Sequence, residues 1–222
     1  MRHGETDWNV AGRLQGMTDI PLNESGRRMA ISCGKGMHDI HIDECISSPL
    51  KRARETAELV LRQNDGYQDG KGIPFSTDER LREAGFGPWE GLICKADGYS
   101  VPLEDFGTYW REPESPLIVD GVERITEVEK RVEDFLDELE KREGQSDRTV
   151  LLVVHGCVIR TVFYLMNGRE NFCNRRIPYN CEVVFACPGR DANGRIVLGE
   201  MGREIFYDLN MLKDYYVGMK DG

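Results

Sequence analysis

Val150-Leu151-Leu152-Val153-Val154-His155-Gly156 decides how the rest of the chain is read. Five apolar residues follow one another without a polar alternation, and three of them are β-branched valines. Such a run is strand-sized, and it suits a central parallel strand covered on both faces. The strand runs directly into His155-Gly156, and Val158 to Met166 resumes as a helix. Upstream, Val122 to Glu143 carries the clearest helical period, with Ile125, Val128, Val132, Leu136 and Leu139 at three- and four-residue steps. The opposite face of that helix is almost entirely charged and reads as a solvated face that needs no partner.

Further out, the same alternation repeats. Asn23-Glu24-Ser25-Gly26 starts a helix reaching about residue 37, with Asn23 as its N-cap. Asp43 to Ser48 holds a short buried strand around Cys45 and Ile46, and Leu50 to Arg62 is the next helix. Ile73 to Thr77 reads as another strand, and Leu81 to Gly91 as a glycine-punctuated loop. Glu182 to Cys187 and Ile196 to Glu200 form an antiparallel pair around Gly189–Gly194. Residues 5–23 read as a long loop. Strand–helix alternation predicts an α/β fold, a three-layer α/β/α sandwich with a mainly parallel central sheet. Residues 1–222 are expected to form a single domain. Segment 92–120 lacks periodicity and carries Pro102, Pro113 and Pro116; it is expected to be a cap insertion over a site.

The composition is that of an ordinary globular protein, 40% hydrophobic and 31% charged. No apolar stretch approaches the roughly 20 residues that span a bilayer. Seven cysteines, at spacings that match no zinc pattern, fit reduced thiols and a cytoplasmic location, and no metal or cofactor is expected. A net charge of −10 argues against nucleic acid and against anionic membranes as partners. It leaves room for a small phosphorylated substrate, because a few arginines can dominate the field inside a cleft. A homodimer is compatible with this composition.

In open parallel sheets, sites form at the carboxyl ends of strands. Arg52 follows the Cys45–Ile46 strand, Glu83 follows the Ile73–Thr77 strand, and His155 ends the Val150–Val154 strand, so all three could converge on the opening Met1-Arg2-His3-Gly4-Glu5-Thr6. A histidine attacks phosphorus only when neutral and held still, with the charge of the phosphate matched nearby. Arg2-His3-Gly4 offers both groups. The chain resembles the histidine phosphatase superfamily, whose members include cofactor-dependent phosphoglycerate mutases and many small phosphatases. The resemblance runs through Arg2-His3-Gly4-Glu5-Thr6, Trp8-Asn9, Gly12-Arg13-Leu14-Gln15-Gly16 and Pro21-Leu22-Asn23. It continues in Ser47-Ser48-Pro49-Leu50 with Arg52-Ala53, in Leu81-Arg82-Glu83, in Trp89-Glu90-Gly91, and in His155-Gly156 with Ile159-Arg160.

That resemblance implies that His3 is the nucleophile that becomes phosphohistidine. It also implies that Arg2, Arg52 and His155 surround the transferring phosphoryl group and that Glu83 is the proton donor. Asn9 and Gln15 would be secondary phosphate or substrate contacts. Arg160, His38 and His41 read as structural, and Cys157 as a small buried apolar residue. In the mutases an arginine and a tyrosine closely follow the acid glutamate. Here Ala84, Gly85 and Phe86 follow Glu83, which favours hydrolysis of a small phosphomonoester over the alternative, a cofactor-dependent phosphoglycerate mutase. A non-catalytic phosphate-binding member is a further alternative, disfavoured because no clamp residue is missing. Tyr99, Phe106, Tyr109 and Trp110 of segment 92–120 either stack on substrate or pack the cap onto the body, and packing is preferred. In the family an apolar strand leads into Arg-His-Gly, whereas only Met1 precedes Arg2 here. The first strand is therefore expected to be truncated, by roughly five residues.

Overall fold

The apolar runs of the sequence pair in parallel. The computed structural model describes residues 1–68, 72–94, 100–102, 108–109, 119–143, 147–167, 177–194, 196–207 and 209–211. In it, strands β1 (Glu44–Ser47), β2 (Phe75–Thr77) and β3 (Val150–Val153) lie in the order β2-β1-β3. Glu44 faces Val150, Ser47 faces Val153, and Cys45 faces Phe75. Strand β2 is exposed along its length and forms an edge, whereas β1 is buried throughout. It also starts later than its apolar pattern suggests. Pro74 has no N–H to give to a ladder, although its carbonyl still accepts from Cys45 N–H at 2.9 Å.

The opening residues extend this sheet beyond β3. Arg2 bridges Val154 in parallel; His3 N–H donates to Val154 O at 3.0 Å, and Val154 N–H donates to Met1 O at 2.9 Å. On the other side Arg2 N–H donates to Glu182 O at 3.2 Å, and Cys181 N–H donates to Arg2 O at 3.0 Å. Met1 to His3 thus lie between β3 and the chain that enters β4 (Val183–Arg190). Strand β4 pairs antiparallel with β5 (Ile196–Glu204), as the sequence pattern predicts.

The helices are α1 (Asp7–Val10), α2 (Glu24–Gly36), α3 (Lys51–Leu61), α4 (Asp65–Gln68), α5 (Ile125–Glu143) and α6 (Gly156–Asn167). The Asn23 side chain caps α2 by accepting from Gly26 N–H. Met29 and Cys33 of α2, with Ala57 and Val60 of α3, pack on Cys45, Leu151 and Val153. Val128 and Val132 of α5, with Val158 and Phe163 of α6, join Ile46 and Val154 in a second cluster. Alternate residues of β1 and β3 therefore face different helix layers. That is why β3 is apolar without a break and β1 carries the apolar pair Cys45–Ile46 at its centre, and burying a large apolar side chain of this kind contributes about 1.5–3 kcal/mol.

Three expectations need correction. Residues 5–23 are not all loop, because Thr6 and Asn9 form a reciprocal capping box that starts α1. Leu81 to Gly91 includes a 3₁₀ turn at Gly87–Trp89. The charged face of α5 does have partners: Arg131 turns onto residues 80–83, and Asp137 and Glu140 hold Arg190. Periodicity marks a face as polar without saying what docks on it. Most of segment 92–120, including Tyr99, Phe106 and Trp110, lies outside the described residues. Tyr109 within it is buried and meets Phe86 and Trp89 edge-on, with ring centroids 5.9 and 6.0 Å apart, so this aromatic packs onto the body.

Candidate active site

The carboxyl ends of β1 and β3 and the opening residues meet at one solvent-open cleft with about 680 Å³ of empty space. Arg2, His3, Asn9, Gln15, Arg52 and Glu83 all line it. His155 is buried beside them, its ring centroid 5.1 Å from that of His3 and its plane tilted by 54°.

His3 follows the Arg2–Val154 bridge, so sheet pairing fixes its backbone. Its Nδ1 lies 2.7 Å from Gly4 O. A carbonyl only accepts, so Nδ1 carries the proton and Nε2 keeps its lone pair. Burial holds the His3 pKa well below the usual histidine value, and the Arg52 and Arg2 guanidinium groups push the same way. His155 is lowered by the same causes, burial first and then Arg52. Both His155 ring nitrogens are buried without a hydrogen-bond partner.

Arg52 sits in the first turn of α3 and is fully buried. It donates to Gly16 O at 2.8 Å and to Thr18 O at 2.9 Å. Burial brings its pKa down to about 10, which leaves it charged at neutral pH. The carbonyls that hold it are themselves held by Glu90, whose carboxylate accepts from Met17 N–H and Thr18 N–H, both at 2.9 Å, and from the Thr18 hydroxyl. Gly16 has φ +54°, and a Cβ there would fall 2.1 Å from Glu90 Oε1, so any other residue is strained at this position and must displace the Glu90 carboxylate. Arg2 donates to Pro178 O at 2.7 Å.

Glu83 Oε1 accepts from Ala84 N–H at 3.1 Å and from Cys157 N–H, in the first turn of α6, at 3.0 Å. An oxygen that accepts two N–H groups is the unprotonated one, so an acid proton on Glu83 belongs on Oε2. Asn9 Oδ1 accepts from Thr6 N–H and the Thr6 hydroxyl, which turns its amide nitrogen away from the cap. Gln15 Oε1 is buried without a partner. Arg160, read from the sequence as structural, lines the cleft, as do Arg13 and Phe86. His38 and His41 are exposed, beside Asp65 and Asp43. Cys157 is buried, and burial pushes its thiol pKa far up, so it is inert as a nucleophile.

Asn180 escaped the sequence reading. Its amide nitrogen donates to His3 O at 2.9 Å, Gly4 O at 3.2 Å and Asn9 Oδ1 at 3.4 Å. No local pattern announces it, because its partners lie more than 170 residues away along the chain. Among the described residues no cluster of three or more His, Cys, Asp or Glu could hold a metal, and no helix is long and apolar enough to cross a membrane.

An α/β sandwich whose strand ends bring two histidines, two arginines and a carboxylate to one cleft has the layout of a phosphoryl-transfer enzyme. Residues 1–193 match the model of the histidine phosphatase superfamily (branch 1). Phosphoserine phosphatase 1 of Hydrogenobacter thermophilus is 31% identical over 220 residues, covering 98% of this chain and 94% of that protein. A probable phosphoglycerate mutase GpmB of Erwinia tasmaniensis is 31% identical over 192 residues, covering 82% of this chain and 80% of that protein. Among solved structures, the mycobacterial glucosyl-3-phosphoglycerate phosphatase complexed with VO3 superposes with a TM-score of 0.72 at 28% identity, covering 90% of this chain and 95% of that one. The chain belongs to the histidine phosphatase superfamily, and it is an enzyme of the phosphatase class.

Proposed function

We propose that this enzyme hydrolyses a small phosphomonoester through a phosphohistidine formed on His3. The observation that carries the reading is the bond from His3 Nδ1 to Gly4 O, which leaves Nε2 as a neutral nucleophile beside two arginines. In the first step Nε2 attacks phosphorus in line and a P–N bond forms. The bond from phosphorus to the leaving oxygen breaks, and Glu83 gives that oxygen a proton from Oε2. Arg2 and Arg52 match the charge on the equatorial oxygens, and the unpartnered His155 nitrogens face the same demand. Water then attacks phosphorus, Glu83 takes its proton, the P–N bond breaks and inorganic phosphate leaves. Asn9 and Gln15 orient the bound group.

The neighbourhood of Glu83 supports hydrolysis over mutase action. Ala84 is fully buried and offers only its N–H, which is already given to Glu83, while Phe86 presents an apolar ring to the cleft. Neither can hold a substrate carboxylate in the way a mutase requires. The likeness to a probable mutase keeps that second reading testable.

Release of p-nitrophenol from p-nitrophenyl phosphate should be fast in the wild type and lost in His3→Ala; equal rates would remove His3 as the nucleophile. Arginines supply the positive charge in this mechanism, so EDTA should leave the rate unchanged. Interconversion of 2- and 3-phosphoglycerate with bisphosphoglycerate, at a rate above aryl phosphate hydrolysis, would establish the mutase reading instead.

A further inference from the structure

Arg131 and Glu123 form a clamp around the backbone that carries Glu83. Arg131 Nε donates to Glu123 Oε1 at 2.7 Å, and one of its terminal nitrogens reaches Glu123 Oε2 at 3.1 Å. The same guanidinium donates to the carbonyls of Arg80 at 2.5 Å, Arg82 at 2.7 Å and Glu83 at 3.1 Å. Glu123 completes the hold from the other side: its Oε2 accepts from Gly85 N–H at 2.9 Å, and its own N–H donates to Gly85 O at 2.7 Å. Both side chains are mostly shielded, with 16% and 19% of their surface exposed.

Between the 3₁₀ turns at Glu79–Leu81 and Gly87–Trp89, residues 82–86 belong to no helix or strand. A catalytic acid on such a segment is placed only as well as the segment is pinned. Here the pin comes from α5, whose Val128, Val132 and Leu136 are buried in the core. A guanidinium fits the task because its planar fork of donors reaches several carbonyls at once. The bidentate Glu123 fixes that fork in turn, at an exposure where the pair is poorly screened by water.

We infer that Arg131 and Glu123 are positioning residues for proton donation by Glu83, through the backbone of residues 80–85, and touch neither substrate nor phosphate. This rests on the reading of Glu83 as the acid. The consequence is dependence on the leaving group. A p-nitrophenolate departs without a proton, whereas the alkoxide of p-nitrobenzyl phosphate needs one. A fault in the acid should therefore slow the second substrate far more than the first. A purely structural role would lower both alike.

The measurement is kcat/KM for the two substrates in the wild type, Arg131→Met, Glu123→Gln and Glu83→Gln. This parameter reports the steps up to His3 phosphorylation, before the common intermediate is hydrolysed. In Arg131→Met we expect p-nitrobenzyl phosphate to lose at least about tenfold more than p-nitrophenyl phosphate, since misplacing a catalytic group by about 1 Å can cost 10²-fold. Glu123→Gln keeps the size and an acceptor, so the same split should appear at a smaller amplitude; it also carries the test if Arg131→Met fails to fold. A split in Glu83→Gln with equal losses on both substrates in both clamp variants would overturn the inference. No split in Glu83→Gln would overturn the reading of Glu83 as the acid, a separate failure.

Discussion

Replacing Asn180 by alanine removes the one side chain, among the described residues, that ties the His3 carbonyl to the body of the protein. Three acceptors lose a donor: His3 O at 2.9 Å, Gly4 O at 3.2 Å and Asn9 Oδ1 at 3.4 Å. They do not lose equally. Gly4 O still accepts from His3 Nδ1, and Asn9 Oδ1 still accepts from Thr6, so only His3 O is left unsatisfied. Two sound hydrogen bonds at about 1 kcal/mol each, plus the added penalty for one buried orphan acceptor, give a loss of about 3 kcal/mol. For a domain of this size that lowers Tm by about 6–12 °C. Asn180→Asp is the sharper variant. It keeps the shape but points a carboxylate at the same three oxygens from a position only 5% exposed, so it should be less stable than alanine. Urea unfolding followed by far-ultraviolet circular dichroism measures both. The reasoning is refuted if Asn180→Ala unfolds within about 0.5 kcal/mol of the wild type, or if the aspartate variant is the more stable of the two.

Gly16→Ala forces a Cβ into the left-handed region and onto Glu90, at a cost of about 1–3 kcal/mol. The carbonyls that hold Arg52 should shift, so inorganic phosphate should inhibit competitively with a Ki raised about tenfold if about 1.4 kcal/mol of that strain reaches the clamp; an unchanged Ki would separate the loop from the clamp. His3 and His155 are neutral when buried but charge in the unfolded chain below the ordinary value of 6.5. The contribution of these two histidines is therefore complete above about pH 6.5 and falls as pH drops, by up to about 3 kcal/mol per pH unit while both remain unprotonated in the fold. Thermal melts between pH 7 and 5 should show this slope, and the His3→Gln, His155→Gln double variant should flatten it.

His3, Arg52, Glu83 and His155 were legible because each sits at or just beyond a strand end and has neighbours that serve the same turn. Gly4 is one such neighbour: a Cβ there would meet Gly26 O at 2.8 Å. The layers were legible for a similar reason, since a five-residue run of valine and leucine, strand-sized and rich in β-branched residues, suits a strand covered on both faces. Asn180, Arg131 and Glu123 were not legible. Each acts on backbone carbonyls or N–H groups, which every residue has, so the partner leaves no trace in composition or spacing. Arg131 illustrates the limit: its place on α5 follows from the period, but its use depends on the path of residues 80–85.

Under the proposed mechanism, the way Arg52 is held would let one site bind a phosphate dianion while His3 stays neutral. Arg52 gives its hydrogen bonds to the carbonyls of Gly16 and Thr18. Carbonyls orient a guanidinium without cancelling its charge, whereas a carboxylate in the same place would quench it. Burial is the main reason that His3 and His155 stay neutral, and the residual charge on Arg52 adds to it by disfavouring protonation. That charge is equally available to a phosphoryl group. The carboxylate that does approach, Glu90, is kept one step back: it holds the N–H groups of Met17 and Thr18, and so fixes the carbonyl-bearing loop instead of the cation. Moving a carboxylate forward onto Arg52 would weaken phosphate binding and remove one of the forces, second to burial, that keep His3 neutral.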